Sequence, residues 1–131
     1  MTIATIKAFQ VDTNEIVDVP TFNSRVPWNM LTLPYSTLLV PDFTLSRNFI
    51  VTLTGNTTFD NPLNVTPGQS GVIYIVQDEV GSRSAAFNSF WSFEEGVAPT
   101  LSTLPGVVDV LVYEVYTTTR VVATLLRRVG G

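Results

Sequence analysis

The stretch F-I-V-T-L-T-G-N-T-T-F-D-N-P-L-N-V-T-P-G-Q-S-G-V-I-Y-I-V-Q-D-E-V-G-S-R, Phe49 to Arg83, decides the fold. From Phe49 to Thr54 the residues alternate. Phe49, Val51 and Leu53 share one side and Ile50, Thr52 and Thr54 the other, which is the period of a pleated strand. Val72 to Gln77 holds V-I-Y-I-V, apolar on both sides, the mark of a strand covered on both faces. Between them lie Gly55-Asn56, Asp60-Asn61-Pro62 and Thr66-Pro67-Gly68, whose side chains and backbone freedom favour turns. Asn56-Thr57-Thr58 and Asn64-Val65-Thr66 match the glycosylation acceptor pattern. No secretory leader is recognisable in Met1 to Gln10, so both read as turn chemistry.

Toward the C-terminus the strand signals continue. Asp78 to Ser84 is a polar loop, and Ala85 to Phe93 (A-A-F-N-S-F-W-S-F) predicts a short aromatic strand and a bend. Val107 to Thr117 is the longest strand candidate and Arg120 to Leu126 another, both largely apolar on their two faces. A hairpin across Thr117 to Thr119 is their natural pairing. No segment reads as a helix of useful length. The expectation is an all-β domain, a sandwich or barrel-like antiparallel structure, over residues 46–131.

Toward the N-terminus the pattern changes. Thr2 to Val11 reads as a strand with imperfect alternation. Pro20, Pro27, Pro34 and Pro41 then recur every seven residues. Each removes a backbone donor, which rules out a long helix or a central strand. Yet Phe22, Trp28, Leu31, Leu33, Tyr35 and Leu38 make the segment greasy, unlike a disordered linker. Residues 1–45 are therefore expected to form an extended arm that lies on another surface.

Composition narrows the function. There is no cysteine and no histidine, which removes disulfides, the usual general base and the commonest transition-metal ligand. Charged residues are 14% of the chain, against roughly 25% in soluble proteins. Hydrophobic residues are 45% and the mean hydropathy is +0.30. Net charge is −4, which disfavours a nucleic-acid partner, and no apolar run approaches a membrane helix. Burying apolar area is worth about 25 cal/mol per Å². Strands that are greasy on both faces thus call for cover from the arm or from sister subunits, and a homo-oligomer is the simplest solution. The interface candidates are Tyr74, Val110, Val112, Tyr116 and Arg120.

Catalysis finds little support. Asp78-Glu79 and Glu94-Glu95 are neighbours in extended chain, so their carboxylates point apart and read as solvated loop charge. A calcium site at Asp78 and Glu79 fits no loop motif. The serines have no base, and Gly68, Gly71 and Gly81 precede no helix, so they read as turn glycines rather than a phosphate loop. We expect no enzyme activity, no cofactor and no metal. Asp109 and Glu114 interrupt an apolar strand. Either they pair with Arg83 and Arg120, or they meet water at strand ends. Phe90 and Trp91 offer rings for stacking on a glycan, against the plainer reading of core packing.

V-T-L-T-G-N-T-T-F-D-N-P (Val51 to Pro62), G-Q-S-G-V-I-Y-I-V-Q-D (Gly68 to Asp78), G-S-R (Gly81 to Arg83), A-P-T-L-S-T (Ala98 to Thr103) and V-D-V-L-V-Y (Val108 to Tyr113) carry a family likeness. Over Phe49 to Leu126 the chain resembles a β-structured module of tailed-bacteriophage virion proteins, of the capsid decoration, head-fibre or tail-fibre type. Leu104-Pro105-Gly106 departs from the small polar residues that module carries there. The resemblance implies a trimer on the particle surface, made in the host cytoplasm, with no catalytic residues. A tail fibre needs a shaft and an anchoring end, so the short chain favours a capsid decoration (cement) protein. Its arm, through Phe22, Trp28, Leu31, Leu33, Tyr35 and Leu38, would then grip the major capsid protein. The alternative is a tail-fibre or head-fibre module that takes host glycans at Phe90 and Trp91.

Overall fold

The computed structural model describes residues 29–130. The strands are β1 (Met30–Thr32), β2 (Leu38–Leu39), β3 (Asn48–Leu53), β4 (Thr57–Phe59), β5 (Ser70–Gln77), β6 (Ala85–Phe87), β7 (Trp91–Ser92), β8 (Val108–Thr117) and β9 (Arg120–Leu126), with one 3₁₀ turn at Glu94–Gly96. No α-helix occurs among the described residues, so the domain is all-β there. The strand expected over Thr2 to Val11, and the arm residues Phe22 and Trp28, lie outside the described residues.

Two sheets face each other across the core. One runs β1-β3-β5-β8-β9-β7 and the other β2-β4-β6. The chain alternates between them, so β1–β2, β3–β4 and β5–β6 are three successive coils of a flattened stack. Met30, Asn48 and Val72 lie side by side in the larger sheet, and Leu38, Thr58 and Ala86 in the smaller. Every pairing within the coils is parallel. A further parallel bridge joins Asp42 to Leu63 at a corner. Only β8 and β9 extend the stack in antiparallel fashion, and β7 runs parallel to β9 at the far edge.

The expected antiparallel arrangement is therefore corrected to a mixed one. Gly55-Asn56 does not reverse the chain within a sheet. It turns a corner, so that Leu53 on one side and Thr57 and Phe59 on the other all point into the same core. The Thr117 to Thr119 turn does close a hairpin, with Val115 opposite Val121 and Thr117 opposite Arg120.

Residues 30–45 are the first coil of the domain rather than an arm upon it. Leu39, Pro41 and Phe43 are buried, and Leu31, Leu33 and Tyr35 pack against the core. The two prolines of this coil, Pro34 and Pro41, lie outside its strands, where the missing donor costs no ladder bond.

Core rows run straight across the coils. Leu31, Phe49, Ile73, Leu111 and Leu125 align in the larger sheet, and Leu39, Phe59 and Phe87 in the smaller. The Phe59 and Phe87 rings stack at 5.3 Å, and the Phe43 and Tyr113 rings stack at 4.8 Å. Polar side chains staple the corners from one coil to the next. Asn64 Nδ2 donates to Asp42 Oδ1 (2.8 Å) and Asn88 Nδ2 to Asp60 Oδ1 (2.6 Å). The Ser84 N–H donates to Asn56 Oδ1 (3.0 Å), and the Tyr35 hydroxyl to the Asn56 carbonyl (2.7 Å). Both acceptor-pattern asparagines thus serve the turns.

Candidate functional site

The polar side chains inside the molecule are spent on the backbone. Asp109 is 2% exposed. Its Oδ2 accepts the Ser102 N–H (2.7 Å) and its Oδ1 the Arg128 N–H (2.8 Å), which ties two irregular segments to β8. A carboxylate held by backbone donors needs no cationic side chain. At Asp109 neither alternative open from sequence holds, since it pairs with neither Arg83 nor Arg120 and does not meet water. Glu114 is exposed on β8 and meets water there. Gln77, also buried, donates from Nε2 to the carbonyls of Arg83 (2.8 Å) and Ser102 (2.9 Å) and accepts the Arg83 N–H at Oε1 (3.0 Å).

Arg83 belongs instead to Asp78. Its Nε and Nη2 reach the two carboxylate oxygens at 3.2 and 2.8 Å, and the Val80 and Gly81 N–H groups add to the cluster. Hydrogen bonding from Arg83, then from Gly81, holds the Asp78 carboxyl down to about 2. An acid fixed in this way is neither a general acid near neutral pH nor an open cation ligand. At Asp42, burial pushes the carboxyl up, but hydrogen bonds from Asn64 and Thr44 outweigh it and leave the group below its ordinary value. No group of three or more metal-ligating side chains occurs among the described residues. A cleft of about 300 Å³ beside Pro105, Val107, Val108, Arg128 and Val129 presents no nucleophile with a base.

The aromatic cluster is internal. Trp91 is 6% exposed, and its indole N–H donates to the Asp60 carbonyl (2.9 Å). Its ring meets Phe59, Phe87 and Tyr113 edge-on. A glycan platform needs an open ring face, and Trp91 has none; Phe90 is half-buried beside it.

What remains is the outer face of the larger sheet. Register places Ile50, Tyr74, Val110 and Leu126 in one row across it. Val72, Val112 and Thr124 form the next, and Thr52, Val76 and Val108 another. Of the interface residues expected from sequence, Tyr74, Val112, Tyr116 and Arg120 lie open or partly open on this outward side, whereas Val110 shares the side but is only 7% exposed, a correction to its expected role. Exposure is greatest on β8 and β9, at 38% for Val112, 49% for Val122 and Leu126, and 68% for Tyr116. Val72, Val122 and Leu126 belong to the same face, and sequence reasoning missed them. The alternation that buries Val121 and Ala123 already turns Val122 and Leu126 outward.

The arm residues divide. Leu31, Leu33 and Tyr35 are committed to the core, while Leu38 faces outward from the first coil with Met30, Val40 and Leu45 exposed nearby. Phe22 and Trp28 lie outside the described residues. No family model, curated protein or solved structure matches the chain.

Proposed function

We propose that this chain is a structural protein of a bacteriophage virion, most specifically a capsid decoration protein that sits as a homo-oligomer on the head and stabilises the shell. The observation that carries the reading is the outer face of the larger sheet. A solvated sheet face normally alternates with charged or polar residues. Here Val72, Tyr74, Val76, Val108 and Val112, on the outward side of the two central strands, are all apolar or aromatic and at least partly open, while Val110 beside them is already buried by the chain itself. Such a face is made to be covered, while the polar groups that would serve chemistry are tied into corners and loops.

The exposed first-coil residues Met30, Leu38, Val40 and Leu45 are the described surface best suited to touch the major capsid protein. Stabilisation by this route is additive. Each copy buries a modest apolar area, and many copies per particle together resist the pressure of packaged DNA. The test compares particles with and without the protein under heat and at low salt, with cryo-EM of the complete particle to locate it. The expected result is density over capsid-subunit junctions and earlier genome release when the protein is missing. Density on the tail, or equal particle stability, would count against cementing.

A further inference from the structure

We infer that the outer face of β8 and β9 takes a second copy of this chain, with Glu114 of one copy set against Arg120 of the other. The inference rests on reading this face as an assembly surface and adds what covers it and in which alignment. The face spans four strands, β3, β5, β8 and β9, and about four outward rows, or about 20 Å by 20 Å in plan at ordinary strand spacing. That is roughly 400 Å² before the relief of the side chains is counted. It is the size of the largest patch an ordinary monomer shows, often a functional one, and about half the contribution of one partner to a standard interface.

Charge identifies the occupant. Of the outward residues on these four strands, only Glu114 and Arg120 are charged, and they carry opposite signs. They lie together at the hairpin end, beside Tyr116 and Val122. Both are exposed, and the ion pair among the described residues is Arg83 with Asp78, not one of these. A foreign partner would need its own matching pair at this rim. A second copy brings it automatically. Rotation about an axis that runs along the strands between β8 and β9 keeps hairpin end against hairpin end. It exchanges the two strands, so each row closes on itself with Val112 over Thr124 and Glu114 over Val122, and Arg120, one outward position further along β9, lies within reach of Glu114 of the other copy on both sides of the axis. Aligned packing of two sheets is the ordinary way such faces meet. Opposite charges at the rim select this alignment over a slipped one.

The test uses the full chain, purified without capsid, in light scattering coupled to size exclusion and in sedimentation across a dilution series. The wild type is expected at twice 14.4 kDa, because a twofold contact closes on two copies, and a threefold assembly overturns the inference. Glu114→Arg and Arg120→Glu should each weaken association at least about tenfold, and the double reversal should restore it to within a few-fold. Val112→Glu should give a monomer with an unchanged far-ultraviolet CD spectrum. A wild type that stays at 14.4 kDa at high concentration overturns the inference, and so does an oligomer indifferent to V112E. Single reversals that the double does not repair overturn it too. A monomer whose own melting falls with V112E, as it would if residues 1–28 occupied the face, also overturns it. Because no capsid is present, none of these outcomes decides where the protein sits on a particle, which the particle experiment reads separately.

Discussion

The three stacked coils and the β8–β9 hairpin share one core but are held by different means. Coil strands are short, from Leu38–Leu39 at two residues to Ser70–Gln77 at eight, and their corners carry the polar staples Asp42–Asn64, Asp60–Asn88 and Asn56–Ser84. The hairpin strands are Val108–Thr117 and Arg120–Leu126, paired in register except for a shift at Tyr116 next to the turn, and bare of such staples along their outer face. A parallel coil must be located corner by corner, because a long connection separates each strand from its neighbour. The hairpin is located by its own turn, which leaves its outer side chains free for another use. Stability should therefore concentrate in the coils and assembly in the hairpin.

The strongest challenge to that division is Phe59→Ala. Phe59 is fully buried and stacks on Phe87, so its loss should cost about 3–5 kcal/mol in urea unfolding. A cost below about 1 kcal/mol would mean the coils do not carry the fold. Next comes Asp109→Ala, which strands the Ser102 and Arg128 N–H groups and should cost about 2–3 kcal/mol. Its exchange signature sharpens the comparison. Those two amides should lose protection while the Phe59 amide keeps its own.

Tyr113 joins the two regions, since it projects from β8, stacks on Phe43 and donates to the Arg47 carbonyl (2.6 Å). Burial pushes its hydroxyl up to about 12 from an ordinary 10.0. The native state thus favours the protonated phenol. Its contribution is fully present below about pH 10 and is lost as pH rises through about 12. Tyr113→Phe should flatten the alkaline limb of a Tm–pH curve over that window. Asp78 gives the mirror case. Its native value is lowered, so its contribution holds above 3.8 and disappears as pH falls through about 2. Asp78→Asn should flatten the acid limb there, though only slightly, because the pair with Arg83 is screened by water. Least of all should Val122→Thr matter for folding, within about 0.5 kcal/mol in the isolated chain at high dilution, because the side chain is half exposed.

Much of this was legible in the residues, and the failures have definite causes. Alternation placed Phe49, Val51 and Leu53 inside, and Thr117 to Thr119 announced the hairpin, since both signals are local. The run of prolines suggested an arm because Pro excludes long helices and central strands. It did not reveal that short edge strands fit between the prolines and that Phe43 reaches across to Tyr113. For Asp109 the residues leave open an arginine partner or water at a strand end, and the structure gives neither. Its partners are the backbone N–H groups of Ser102 and Arg128, which spacing along the chain cannot disclose. Trp91 was open to two readings, and its contacts with Phe59, Phe87 and Tyr113 place it in the core.

Residue order alone determined that this chain makes strands, which residues share a side of each strand, and that apolar surface is in excess. These follow from a two-residue period and from side-chain chemistry, both of which act locally. Tertiary structure alone decided that neighbouring strands run parallel in stacked coils, that the turns are corners, and that the excess gathers on one face of β8 and β9. A pleated strand presents the same faces whichever way its neighbour runs, so direction is set only when distant segments compete for one core.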